Sequence, residues 1–243
     1  MINRDLLIDL GPDLLWSVQE YGIELHRVEH VLLTHGHSDH LLLSNREFRG
    51  PGFVPEGLPD WELRGSEASL SSILALSALD RIRLRPRPVR AFETFPLGAY
   101  TVTALRARHD PAQEPLFYAI RHGDAALLYA TDSGPWFPET WSALEELGAG
   151  GVRFGVAIIE ATSGTARRPP DAPPGMHMGF RDMAEHMQGL RDRGLVRPDA
   201  RMIAHHFSHN AVPPYDETAS LLAPEGIVPA YDGMVVEVPG QRA

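Results

Sequence analysis

Val31-Leu32-Leu33-Thr34-His35-Gly36-His37-Ser38-Asp39-His40 is the stretch that decides how this chain is read. Apolar residues of strand length run straight into three imidazoles and a carboxylate, so a buried strand ends in a loop dense with nitrogen and oxygen donors. An extended backbone leaves His35 and His37 on the same side, whereas Asp39 and His40 lie past the bend and can face a second ion. Any one of these histidines alone would be read as part of a solvated loop. Four donors together predict a metal site with room for two adjacent ions.

Working upstream, Leu6-Leu7-Ile8-Asp9-Leu10 before Gly11-Pro12 reads as a short buried strand, and Leu14 to Tyr21 as a helix that leads to the Val31 strand. Downstream, Ser66 can cap a helix running to about Leu79, with Leu70, Ile73, Leu74 and Ser77 on one face. Tyr100 to His109 alternates as a strand. Leu116 to Ile120 and Ala125 to Ala130 flank Arg121-His122-Gly123-Asp124, the turn of an antiparallel hairpin. Val156 to Glu160 and Met202 to Ala204 are strand-length apolar runs. Pro138 to Leu147 and Phe180 to Arg193 carry apolar positions at helical spacing, and the methionines of the second read as core. Strands alternating with helices, with hairpins among them, predict sheets covered by helices in one domain spanning 1–243, of α/β or α+β class. Gly164 to Gly179 is a long irregular segment rich in Pro and Gly that carries Arg167 and Arg168. It reads equally well as a functional loop and as a surface connector.

A dinuclear centre needs more donors than the first loop supplies, because each ion takes at least three protein ligands and keeps a position for water. The candidates follow strands. His109 comes after the Tyr100 strand, and Asp132 after the Ala125 strand in Thr131-Asp132-Ser133-Gly134. His205, His206 and His209 follow the Met202 strand. The chain has no cysteine, so disulfides and thiolate ligands are excluded and any metal rests on His, Asp and Glu. A net charge of −10 disfavours nucleic acid and favours a small substrate. No apolar run reaches the roughly 20 residues of a membrane helix, and no signal segment is evident, so a cytoplasmic protein with no membrane partner is expected.

His35-Gly36-His37-Ser38-Asp39-His40, followed by His109, Asp132 and a late histidine, resembles the ordered ligand set of the metallo-β-lactamase superfamily. The resemblance implies an α+β fold, a four-layer αββα sandwich. It also implies two divalent ions, zinc or manganese with iron also compatible: His35, His37 and His109 on the first, Asp39, His40 and the last histidine on the second, and Asp132 bridging. Three later segments resemble the cyclic phosphate phosphodiesterases of the carbon-phosphorus lyase pathway more closely: Thr131-Asp132-Ser133-Gly134 with Pro138-Glu139-Thr140, Ala204-His205-His206-Phe207-Ser208-His209, and Tyr231-Asp232-Gly233-Met234. They imply that His206 is the second-ion ligand, with His205 and His209 as alternatives. His209 otherwise stands as a neighbour on the substrate side. They also place His177 near the scissile phosphate, just before a helix whose N-terminus favours an anion. Such relatives usually begin with a further strand pair and carry a cysteine-bearing zinc segment. This chain starts just ahead of Leu6, so the fold is expected to lack the usual first strands, with an exposed sheet edge that could support a homodimer. The structural zinc is expected to be absent.

The activity so implied is hydrolysis of a small phosphodiester, cyclic ones included, by a metal-held hydroxide. Asp132 would fix the two ions, His177 would protonate the leaving oxygen, and Arg167 or Arg168 would steer the phosphorylated substrate. A thioester or lactone hydrolase using the same donors, and a non-catalytic metal-binding scaffold, are the rival readings. A di-iron redox role is disfavoured because that branch usually has glutamate where this chain has His37.

Overall fold

The structure is a computed structural model that describes residues 1–50, 52–53, 58–77, 79–166 and 176–240, apart from the side chains of 46 and 47. Two units are distinguished, residues 1–91 with 112–116 and residues 92–111 with 117–243.

The first unit is built on β1 (Leu6–Ile8), α1 (Leu14–Tyr21), β2 (His30–Leu32), β3 (Trp61–Gly65), α2 (Glu67–Leu74) and β4 (Leu84–Pro88). Its strands form a four-stranded sheet in the order β1-β2-β3-β4, with every pairing parallel. Val31 stands level with Leu7 on one side and Leu63 on the other. Parallel strands are buried on both faces and so are written as continuous apolar runs. Leu7, Val31, Leu33, Leu63, Leu70 and Ile73 accordingly form one buried cluster. Edge strand β4 is blunted by Pro86, Pro88 and the charged Arg85 and Arg87.

Ser66 caps α2 as its residue type predicts, its Oγ accepting the Ser69 N–H at 3.0 Å. The helix stops at Leu74, short of Leu79, and Leu74 is exposed, off the core face expected of it. Ser69, Ser71, Ser72 and Ser77 give this stretch weak helix propensity, and a 3₁₀ turn at Leu79–Ile82 takes over.

The second unit carries β5 (Thr94–Leu97), β6 (Tyr100–Arg106), β7 (Leu116–His122), β8 (Ala125–Ala130), α3 (Pro138–Ala149), β9 (Phe154–Glu160), α4 (Phe180–Asp192), β10 (Val196–His205), α5 (Tyr215–Leu222) and β11 (Ile227–Pro229). Its seven-stranded sheet runs β11-β10-β9-β8-β7-β6-β5. The pairings from β8 to β11 are parallel, while β7/β8 and β5/β6 are antiparallel. The β7–β8 hairpin is tighter than its sequence suggested. Arg121 and His122 continue the strand, and only Gly123-Asp124 turns, with Gly123 at φ +56° where a two-residue turn needs a positive φ. β10 is longer than its apolar run, because Val196 also pairs, and the register shifts between Val196 and Arg201 around Pro198.

Phe117, Leu128, Phe154, Ile159, Met183, Met187 and Leu190 are buried in one cluster, so the methionines of α4 are core. His186 of α4 lies among Trp136 and Trp141. Its Nδ1–H donates to the Asp182 carbonyl at 2.7 Å, and its Nε2 accepts the Trp136 N–H at 3.1 Å. Both nitrogens are thereby committed to the neutral ring, and burial pushes its pKa below the ordinary 6.5. The unfolded chain therefore binds a proton below about pH 6.5 that the folded chain refuses, and stability falls as pH drops through that range. Denaturant midpoints at pH 7.5 and 5.5 are expected to differ less for His186→Gln than for the wild type; an equal difference would refute the assignment.

Candidate functional site

In the first unit the donors stand on the loop that leaves β2. Thr34 and His35 are buried, and the backbone N–H of Thr34 donates to Asp9 Oδ1 at 2.8 Å. The Thr34 hydroxyl donates to the same carboxylate, at 2.9 Å to Oδ2, and lies 3.1 Å from His35 Nδ1, so it accepts that ring's N–H. The proton of His35 thus sits on Nδ1, and its unprotonated Nε2 lies 3.0 Å from Nδ1 of His37. Two nitrogens about 2.0–2.1 Å from one tetrahedral ion would stand ~3.3 Å apart, close to this spacing. His40 Nδ1 donates to Asp9 Oδ2 at 2.7 Å, which turns its Nε2 toward Asp39 Oδ2 at 3.4 Å. With the ring neutral and its Nδ1–H on Asp9, Nε2 is an acceptor beside the Asp39 carboxylate, an arrangement that suits a cation between them. This donor set fits a divalent metal.

Gly36 is required between the two ligand-type histidines. A Cβ there would stand 2.6 Å from Gln113 Oε1 and 3.1 Å from the Ser69 carbonyl oxygen. Gln113 Oε1 accepts the Gly36 N–H at 3.2 Å, and the Gln113 carbonyl takes hydrogen bonds from the hydroxyls of Ser66 and Ser69.

In the second unit the donors gather where β6, β8, β9 and β10 end. Asp132 and His206 hold positive φ, +42° and +56°, uncommon for residues other than glycine and concentrated at functional sites. Candidate ligand atoms of Asp132, Glu160, His177 and His206 all lie within 4.8 Å of one another. Glu160 is fully buried and accepts from the Gly134 N–H at 2.8 Å, the Thr162 hydroxyl at 2.7 Å and the Met178 N–H at 3.3 Å. His177 Nδ1 lies 3.0 Å from Asp132 Oδ1 and 3.2 Å from Glu160 Oε2. Burial alone would push its pKa down, but the hydrogen bonds and charges of Asp132 and Glu160 outweigh it and hold the ring at about 10. His206 Nδ1 lies 2.9 Å from the Thr162 hydroxyl, which in turn donates to Glu160, so the proton of His206 is on Nδ1 and its Nε2 is unprotonated. The half-buried ring of His205 packs edge-on against Tyr129, and His209 is exposed. Of the three late histidines, His206 is the one grouped with Asp132. His109 is buried, with Nδ1 3.2 Å from the Met176 carbonyl and its ring 4.8 Å from that of His177. Arg167 and Arg168 lie outside the described residues.

Asp9, Thr34, Gln113, Glu160 and Thr162 are site residues that the pattern of metal donors did not single out. Glu160 had a signal, since it is a carboxylate ending an apolar run in which every other residue is hydrophobic or glycine. Asp9 had only its place at the end of β1.

Residues 4–207 match the family described as the β-lactamase superfamily domain. The chain belongs to that family. Its fold is similar to that of the metallo-β-lactamase fold protein YhfI from Bacillus subtilis, over 94% of this chain and 85% of that one, at 16% identity and a TM-score of 0.69. A diphosphatase of the PhnP family is matched at 23% identity, 94% and 77% coverage and a TM-score of 0.64. Yeast PDE1 is matched at 14% identity, 92% and 76% coverage and a TM-score of 0.62. No curated protein matches the chain. At these identities the likeness shows the fold, which is the metallo-β-lactamase fold, α+β in class as the resemblance implied. Superfamily members include metal-dependent hydrolases, and the candidate His and Asp groups of this chain suit that chemistry. Among the described residues no helix is long and apolar enough to cross a membrane.

Replacing Glu160 by Gln removes one of the two negative charges that hold the proton on His177 and leaves the Met178 N–H facing an amide. The His177 pKa of metal-free protein, followed by NMR titration of its ring protons, is expected to fall well below 10. Unfolding is expected to become easier by about 1–3 kcal/mol. An unmoved titration would contradict the role assigned to Glu160.

Proposed function

We propose that the chain is a metal-dependent phosphodiesterase acting on a small phosphodiester, cyclic ones included. His35, His37 and His109 would hold one divalent ion and Asp39, His40 and His206 a second, with Asp132 available to both. Supporting this are family membership, the order of the donors along the chain and the ring tautomers that Asp9 and Thr162 impose on His40 and His206. The fold likeness to a PhnP-family diphosphatase agrees with it. Zinc and manganese both suit such donors, and iron is compatible. Two divalent ions held there would supply Lewis acidity and a water of lowered pKa.

The observation that carries the reading is the place of His177, whose Nδ1 lies 3.0 Å from Asp132 Oδ1 and 3.2 Å from Glu160 Oε2, two buried carboxylates that favour its protonated form. An alkoxide leaving a phosphodiester needs a proton at its oxygen, whereas a thiolate leaves unaided, so an acid in this place favours phosphodiester over thioester substrates. With Nδ1 held by Asp132 and Glu160, His177 can offer the proton on Nε2. Glu160 keeps the ring oriented and, being buried, excludes water from the far side. Asp132 holds its strained position at the end of β8 for a bridging role.

Metal-stripped protein resupplied with manganese or with zinc is expected to hydrolyse bis(p-nitrophenyl) phosphate. Asp132→Ala, folded by circular dichroism, is expected to lose more than about a hundredfold in kcat/KM, beyond the loss usual for an outer-sphere partner. Two bound ions without turnover, combined with turnover of a thioester, would replace this reading with the thioester hydrolase.

A further inference from the structure

The chain after His206 folds back as a turn beside a concavity in the second unit. The Ser208 N–H donates to the Thr162 carbonyl at 3.2 Å, and the N–H groups of Ala211 and Val212 both return to the Ser208 carbonyl at 3.1 Å. Gly164, at φ +53°, lies against this turn, where an added Cβ would stand 2.1 Å from the Ala211 carbonyl oxygen. The turn is therefore held on both sides before any ligand arrives. With the start of α5 and the end of β11 it encloses a cavity of about 270 Å³, walled by Phe207, Ser208, His209, Pro213, Tyr215 and Pro229. Tyr215 is 45% exposed, and Tyr231, 57% exposed, meets it edge to face with ring centroids 5.9 Å apart.

The chemistry of the walls limits what enters. Aromatic and proline faces stack planar groups, and the hydroxyl of Ser208 and the ring of His209 can each hydrogen-bond one. Among the described residues that line the cavity there is no Arg, Asp or Glu, so a second phosphate or a carboxylate would lose its water without gaining a counter-charge. Asp216 and Glu217 in the first turn of α5 add a negative field that repels an anion further. We propose that this cavity receives a planar, uncharged ring carried by one ester group of the substrate, with Tyr215 as the stacking residue and His209 beside it. The substrate is then an aryl or nucleoside phosphodiester, not one with a second anionic group at this end. The inference rests on the phosphodiesterase reading, which puts the scissile phosphate at His206, one residue from the cavity wall.

The test uses the full-length, manganese-loaded protein and two substrates that share one scissile ester, adenosine 2′,3′-cyclic phosphate and 1-O-methylribose 2′,3′-cyclic phosphate. Wild type is expected to prefer the adenosine compound by about tenfold or more in kcat/KM, in line with the usual strength of base-on-ring stacking. Tyr215→Ala is expected to bring that ratio close to one, Tyr215→Phe to keep it, and Tyr231→Ala to lower it. Turnover of both substrates at equal efficiency would overturn the cavity assignment and leave the hydrolase standing. Should neither be turned over, saturation-transfer NMR with adenosine separates the two claims. A Tyr215-dependent signal would support the cavity while the phosphodiesterase reading falls, and no signal would overturn both.

Discussion

A carboxylate taken out of water must find donors for its oxygens, and two such carboxylates organise the candidate site residues of this chain. Glu160, fully buried, draws in the Gly134 N–H after β8, the Thr162 hydroxyl after β9 and the Met178 N–H ahead of α4. Leaving any of these unmade would expose the full desolvation cost of a buried charge, so the strand ends are pulled into one arrangement. Asp9 does the same in the first unit for Thr34 and His40. In each unit a threonine hydroxyl donates to the carboxylate and accepts from a histidine, Thr34 from His35 and Thr162 from His206. That relay fixes which ring nitrogen carries the proton and which does not, as the partners of metal-binding histidines do in general. The metal-type donors are thus prepared by hydrogen bonds among ordinary side chains.

The two parallel-strand regions explain why these groups gather where they do. Parallel strands bury both faces and leave polar chemistry to their carboxyl ends. β2 delivers His35 and His37, β8 delivers Asp132, β9 delivers Glu160 and β10 delivers His206, each within a few residues of its strand. Strain is stored at the same ends, in the positive φ of Asp9, Asp132 and His206. Asp132 and Glu160 beside His177 are the electrostatic result, and they raise its pKa from the ordinary 6.5 to about 10.

Much of this was legible in the residues themselves. The β2 run into His35 and His37, the helices at Leu14, Pro138 and Phe180, the Ser66 cap and the buried methionines all follow from periodicity and capping chemistry, because these depend on neighbours in sequence. The first unit's β3 and β4 were not anticipated. Trp61–Gly65 alternates with charges, and Leu84–Pro88 carries two prolines and two arginines, so neither has the apolar run of a parallel strand, and only pairing with neighbours distant in sequence makes them strands. The metal-type donors stood out by residue type and their ordered spacing. Asp9, Glu160 and Gln113 did not, because an acid or an amide acquires its role only from the partners the fold brings to it. His206, taken over His205 and His209 from the resemblance, follows the end of β10 at a positive φ and groups with Asp132, while His205 ends the strand against Tyr129.

The central proposal is that His35, His37, Asp39, His40, His109, Asp132 and His206 hold a pair of divalent ions. Electron paramagnetic resonance of protein loaded with two equivalents of manganese tests it most directly. The account predicts the spectrum of a spin-coupled manganese pair, which Asp132→Ala converts to that of isolated ions. A wild-type spectrum of uncoupled manganese at full loading would contradict it.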